Sequence, residues 1–295
     1  MHQSALRITD SVQPTRLSIW REPEEVLVES GRTTFSRQVL LTTILPLAGL
    51  LLFTLAVRLT SIDLQISRLF YDSSAATWRF RFSQPWMALY QYGPLPGLFL
   101  GLAGVVVAVA SYFRAELASW RRAGLFVALL LAIGPGLAVN GILKPQWSRP
   151  RPAQVRDFGG QQPFVGVWGF GHSALSKSFP SGHASIGFYL MAPAFLLYPR
   201  RQKLAAAFLL LGLACGGLIG LARIAQGQHF LSDVVWAGGL VYFCGLLLGY
   251  VFHRLSPVES TDSAAGPVIL PMDAARQGRM QGKSASRHEA SRRAA

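Results

Sequence analysis

Apolar residues in this chain fall in long blocks, not in strand-like alternation or a single helical stripe. Six blocks are long enough, or nearly so, to cross a bilayer as helix, which takes about 20 residues. They cover residues 39–57, 94–113, 123–143, 183–198, 204–222 and 234–252. The fourth is short and carries Pro193, but residues 185–198 hold no charge. Each block is apolar all round, as expected where lipid is the solvent. Hydrocarbon offers the backbone no hydrogen-bond partner, so each block is expected to be helical. The pattern therefore predicts an all-α fold, an integral membrane six-helix bundle, and the sequence shows no internal repeat.

The polar segments between the blocks are unequal. Residues 58–93 are long and carry Asp63, Arg68, Phe70, Tyr71 and Asp72, with Trp78, Trp86, Tyr90 and Tyr92 suited to a membrane interface. Residues 144–182 are rich in Pro, Gly, Arg and His, and residues 223–233 are short. The other two connections are brief and basic, with Arg114, Arg121 and Arg122 in one and Arg200, Arg201 and Lys203 in the other. Basic short loops stay on the cytoplasmic side. Parity then places both termini inside and the three remaining segments outside. The expected organisation is a cytoplasmic N-terminal segment (1–38), a six-span domain (39–253) and a disordered basic C-terminal tail (254–295) rich in Ala, Ser, Gly and Arg. Because the first apolar block starts only at Val39, no cleavable leader is expected. The expected location is the inner (cytoplasmic) membrane.

Composition agrees with this reading. Of 295 residues, 51% are hydrophobic and only 14% charged, against about a quarter charged in ordinary soluble domains. The formal net charge of +14 is compatible with nucleic acid, anionic lipid or basic cytoplasmic loops. Most of these charges flank apolar blocks, and an anionic inner leaflet accounts for the Arg-rich tail; no nucleic-acid partner is expected. Cys215 and Cys244 lie inside apolar blocks and read as packing residues.

The two outer segments that border spans four and six carry the chemistry. One opens with Lys144-Pro-Gln-Trp-Ser-Arg149-Pro-Arg151-Pro152 and closes with Phe179-Pro180-Ser181-Gly182-His183. The other runs from Ala222-Arg223 to His229 and Asp233. Ionisable residues at a membrane border are costly, and function is their default reading. Lys144, Arg151 and Arg223 can clamp phosphoryl oxygens, the arginines by a bidentate fork. The Ser181 hydroxyl and the Gly182 N–H stand where a helix begins, which is an anion site. Two histidines suffice for one nucleophile and one general acid. Asp233, four residues after His229, can accept a hydrogen bond from one imidazole nitrogen and leave the other free to attack. Each cluster has a plain structural explanation by itself: a helix cap, snorkelling cations, or a hydrogen bond at a helix start. All three on one face do not.

The pattern resembles the type 2 phosphatidic acid phosphatase superfamily, whose signatures are Lys-x6-Arg-Pro, Pro-Ser-Gly-His and Ser-Arg-x5-His-x3-Asp. They correspond to Lys144…Arg151-Pro152, Pro180-Ser181-Gly182-His183 and Arg223…His229…Asp233, with Ala222 where the third signature has Ser. Arg149-Pro150 mimics the first signature, but only Arg151 has its spacing from Lys144. The resemblance covers roughly residues 39–253. It implies that His229 is the nucleophile, Asp233 its orienter and His183 the acid. It further implies that Lys144, Arg151, Ser181, Gly182 and Arg223 hold phosphate, and that neither metal nor cofactor is used. It also implies a six-helix core with the catalytic loops on the outer face and a lipid phosphate as substrate. Asp63 and Ser67-Arg68-Leu69-Phe70-Tyr71-Asp72 in the first outer loop look like those of bacterial members acting on lipid A, undecaprenyl diphosphate or phosphatidylglycerophosphate; phosphatidate is a further candidate. Phe158-Gly159-Gly160 with Pro163-Phe164 resembles lipid A phosphatases. Arg156, His172 and Lys177 are candidate headgroup contacts.

The same residues allow other activities. A phosphohistidine could pass its phosphate to an acceptor other than water. A haloperoxidase using vanadate would be soluble, unlike this chain. An anion transporter would carry ionisable residues within its spans, and these spans hold almost none away from their edges.

Overall fold

The structure, a computed structural model, describes residues 37–171, 176–198 and 200–254. Nearly all of the N-terminal segment, the C-terminal tail and His172 lie outside the described residues. Five helical stretches are long and apolar enough to cross a membrane. In chain order with their shorter companions, the helices are α1 (Arg37–Leu59), α2 (Ile62–Arg68), α3 (Trp86–Ala110), α4 (115–147), α5 (Gly182–Leu197), α6 (Gln202–Ala225) and α7 (Leu231–Arg254). A two-stranded hairpin, β1 (Tyr71–Asp72) and β2 (Thr77–Trp78), pairs Tyr71 with Trp78 between α2 and α3. The protein is a mostly helical, multi-pass membrane protein, and all six apolar blocks lie largely in helices.

The boundaries differ from the sequence expectation in two places. Helix α3 begins at Trp86, inside what reads as a loop, because Gly93 and Pro94 both take helical backbone angles. The hydrogen-bonded helix is interrupted there: one piece closes at Tyr92, and Pro94 is the N-cap of the next, Leu95–Ala110, where a missing N–H is tolerated. Helix α4 passes through Pro135 by widening to a π-helix over Ala132–Leu143, where the Asn140 side chain donates to the Pro135 carbonyl at 2.7 Å. It then closes with one α-turn, Lys144–Trp147, and ends at Ser148 in the left-handed conformation (φ 46°, ψ 30°).

Helix α5 is short because it sits inside the bundle. Ala184, Phe188, Tyr189, Met191 and Ala192 are buried against Phe126 and Leu130 of α4, Ile224 of α6, and Val234, Ala237 and Val241 of α7. Its approach to α6 is backbone against backbone: a Cβ added to Gly187 would stand 2.8 Å from the Gly216 Cα. Small residues make this contact possible, the usual device between membrane helices. The outward faces are strongly apolar, with Leu52, Phe99, Leu210 and Leu247 each about two-thirds exposed. In water such a belt would drive association; in a bilayer it meets acyl chains.

A second, smaller core gathers the long segments at one end. Leu64, Trp78, Val155, Phe158 and Phe230 are buried together, with Phe70, Tyr71 and Phe164 packed around them. This core joins α2, the hairpin, the 152–158 turn and the residue next to His229.

Candidate active site

The residues predicted to act together are brought together. Lys144 sits on the last turn of α4, Ser181 and Gly182 at the mouth of α5, Arg223 on the last turn of α6, and His229 in the loop before α7. The Ser181 N–H donates to the Asp233 carbonyl at 3.1 Å, tying α5 to α7. Gly182 is required by space: a Cβ there would lie 2.6 Å from Asn140 Oδ1 and 2.9 Å from Lys144 Nζ. Asn140 Oδ1 in turn accepts from Lys144 Nζ at 3.3 Å, so the π-helical turn aims the lysine. His183 lies within electrostatic reach of His229, Arg223, Lys144 and Arg151. Its ring packs on Tyr90 at 4.9 Å between centroids, and the Arg223 guanidinium covers the same Tyr90 at 4.3 Å.

Two glutamines steady the two arginines expected to clamp phosphate. Gln226 Oε1 accepts from Arg223 Nη1 at 2.7 Å, and Gln228 Oε1 accepts from Arg151 Nη1 at 2.6 Å. Between them Gly227 has φ +70°, and a Cβ there would fall 2.3 Å from the Trp78 ring. Only glycine lets this loop turn against the hairpin.

Each arginine still has a buried Nε–H without a hydrogen-bond partner among the described residues, and so does the Ser181 hydroxyl. A buried donor left unpaired costs about 1–3 kcal/mol. Three of them among Lys144, Arg151, Arg223 and the α5 N-terminus fit a tetrahedral dianion, which accepts from many donors at once.

His229 is 2% exposed. Burial pushes its pKa down to about 4; Asp233 works against this, and the Lys144 and Arg223 cations reinforce it. The imidazole is therefore neutral at pH 7, the form that can attack phosphorus. Its Nδ1 faces Asp233 Oδ2 at 3.6 Å, too long for a hydrogen bond but oriented so that a proton on Nδ1 leaves the Nε2 lone pair free.

Asp233 is fully buried and heavily bonded. Its Oδ1 accepts from Arg149 Nη1 at 2.6 Å; its Oδ2 accepts from the Ser178 hydroxyl at 2.5 Å and the Phe230 N–H at 2.8 Å. His229 precedes α7, so the two residues meet through a helix-start turn in which Asp233 reaches back to cap Phe230, not along one helix face. Arg149 is itself wholly buried and donates to Asp63 Oδ2 at 2.8 Å, Ser232 Oγ at 2.8 Å and the Val165 carbonyl at 2.8 Å.

Sequence reasoning passed over Arg149, Asn140, Ser178, Gln226 and Gln228. The Arg-Pro-Arg-Pro repeat was the visible signal for Arg149, and Asp63 was visible as an acid just past a span. Nothing local marks the others. Ala222 is fully buried in α6, where its carbonyl accepts from the Gln226 N–H at 3.1 Å. Of the candidate headgroup contacts, Arg156 donates to the Gln161 carbonyl at 3.2 Å and is exposed, as is Lys177.

Residues 125–257 match the model of the PAP2 superfamily. A lipid A 4'-phosphatase of Francisella tularensis subsp. novicida is 35% identical over 201 residues, which are 66% of this chain and 87% of that protein. A lipid A 4'-phosphatase of Rhizobium leguminosarum is 33% identical over 207 residues, 63% of this chain and 86% of that protein. Among solved structures, the PAP2 type phosphatidylglycerolphosphate phosphatase of Bacillus subtilis is similar with 23% identity and a TM-score of 0.43, covering 77% of this chain and 98% of that one.

Proposed function

The chain belongs to the PAP2 superfamily, and from that premise we propose that this membrane lipid phosphatase removes phosphate from lipid A through a phosphohistidine on His229. The observation that carries the reaction is the pairing of a buried, neutral His229 with three buried donors that have no partner among the described residues, Arg151 Nε, Arg223 Nε and Ser181 Oγ. The 4'-phosphate is the favoured position because relatives named lipid A 4'-phosphatase match over 87% and 86% of their length, whereas those named lipid A 1-phosphatase match over 59% and 62%.

In this reading Lys144, Arg151, Arg223, the Ser181 hydroxyl and the Gly182 N–H hold the nonbridging oxygens. His229 Nε2 attacks phosphorus, and the bond from phosphorus to the sugar oxygen breaks. His183 gives its proton to that leaving oxygen. The same residue, now a base, takes a proton from water as the water attacks the phosphohistidine, freeing inorganic phosphate and restoring both rings. Asp233 offsets the positive charge that the His229 ring gains on phosphorylation. The preorganised cations and N–H groups supply the charge stabilisation, so no metal ion is needed for any step. The basic short loops support an inner-membrane location with the site on the periplasmic side and both termini in the cytoplasm.

The test is release of phosphate from a panel of purified lipids in detergent: lipid A, undecaprenyl diphosphate, phosphatidylglycerophosphate and phosphatidate. Inorganic phosphate from lipid A is expected. Preference for another lipid would overturn the substrate, and label appearing on a second lipid in place of free phosphate would make the protein a phosphotransferase.

A further inference from the structure

Beneath the site, Asp233 is tied to two further charged side chains that the phosphatase reaction itself leaves unused. Asp63 of α2, Arg149 after α4 and Asp233 of α7 are joined by bonds of 2.8 Å and 2.6 Å, and each is at most 1% exposed. The Phe230 and Phe164 rings lie 4.5 and 5.7 Å from the Arg149 guanidinium and wall it from water. Asp63 is also bound to the start of α7: its Oδ1 accepts the Ser232 N–H at 2.9 Å and its Oδ2 the Ser232 hydroxyl at 2.5 Å. Arg149 completes the ring by donating to that same hydroxyl at 2.8 Å.

We propose that Arg149 and Asp63 are positioning residues for hydrolysis: they fix the orientation and net charge of Asp233, and through it the His229 ring. The proposal rests on His229 being the nucleophile. Orientation follows from the bonding of Asp233. Oδ1 is taken by Arg149, and Oδ2 by Ser178 and Phe230, so the carboxylate cannot rotate and presents Oδ2 to His229. Charge follows from the count. Arg149 alone would cancel Asp233 and leave nothing to balance a positively charged phosphohistidine ring. Asp63 restores a net charge of minus one to the trio. Neither residue touches the substrate in this arrangement, because both are sealed beneath Phe230. Outer partners of a reactive group commonly matter about 10–100-fold in activity.

The charges facing His229 are Asp233 from its own segment, Lys144 from α4, Arg223 from α6 and the His183 ring from α5. Asp63→Asn removes a negative charge behind this set, and Arg149→Gln removes a positive one. The experiment measures kcat and KM on an aryl phosphate, inhibition by inorganic phosphate, and titration of the His229 ring by NMR of ring-labelled histidine. In both variants kcat should fall about 10–100-fold while KM and phosphate inhibition stay within about twofold. The His229 titration should move to lower pH in Asp63→Asn and to higher pH in Arg149→Gln. Residues that merely brace the fold would not move it in opposite directions. A wild-type kcat, or a rise in KM with kcat unchanged, would overturn the proposal. Should Arg149→Gln not fold, Arg149→Lys and Ser232→Ala carry the same expectation for kcat. His229→Ala is the separating arm: activity surviving there sinks the nucleophile assignment, whereas a dead His229→Ala beside a fully active Asp63→Asn sinks only the positioning role.

Discussion

The Tyr90 ring packs on the His183 ring with centroids 4.9 Å apart and planes inclined by 42°. The same Tyr90 ring carries the Arg223 guanidinium at 4.3 Å, so one aromatic of α3 orders the proposed acid and a proposed clamp residue together. Tyr90→Ala is expected to lower kcat on the lipid about tenfold, in keeping with the loss of a partly desolvated cation–π contact of roughly 1–2 kcal/mol. Tyr90→Phe keeps both ring contacts and should stay within about twofold. Equal loss in the two variants would show that the hydroxyl matters, not the face.

The histidines should separate on leaving-group quality. A nucleophile is needed for any substrate, and a general acid in proportion to how badly the group leaves. His229→Ala should be inactive on both a lipid phosphate and an aryl phosphate. His183→Ala should lose most activity on the lipid but keep far more on nitrophenyl phosphate, with trapped phosphohistidine detectable. Rescue of His229→Ala by the aryl ester would exchange the two assignments.

Burial holds the His229 pKa near 4, below the ordinary value of about 6.5. Between those limits the unfolded chain binds a proton that the folded protein does not. Stability from this group is thus complete above about pH 6.5 and is lost as pH falls toward 4, by on the order of 3 kcal/mol. Thermal midpoints in detergent should fall less steeply over that window in His229→Gln than in the parent protein. Identical slopes would contradict the depressed pKa.

The clamp makes demands on shape as well as charge. Arg151→Lys and Arg223→Lys should each cost about a hundredfold in kcat/KM, because a point charge does not replace a fork. Gly182→Ala should do similar damage by displacing Lys144. Vanadate should inhibit competitively, and chelators should leave the rate unchanged. Activity lost to a chelator and restored by a divalent ion would falsify the metal-free route.

Topology can be read with fused reporters. One placed after Arg254 should report cytoplasm, and one inserted near Gly160 should report the exterior. Both on one side would rule out the six-span arrangement.

The sequence by itself determined the solvent and marked the candidate site. Blocks of apolar residues near the length of a bilayer leave the backbone no option but helix, and three spaced signatures place Lys144, Arg151, Ser181, Gly182, His183, Arg223, His229 and Asp233 at helix ends on one side. These are local properties, carried by periodicity and by residues close in the chain. Tertiary structure decided the rest. Nothing in the sequence says that Asp63 and Asp233, 170 positions apart, share Arg149, since that pairing exists only once α2 packs beside the start of α7. The extension of α3 through Pro94 and the π-helical turn that aims Lys144 likewise depend on packing that overrides local propensity. Arg151 was legible because its spacing from Lys144 is fixed along the chain. Arg149 was not, because its partners are set by burial: a guanidinium sealed from water must find carboxylates, and only the folded bundle determines which ones it finds.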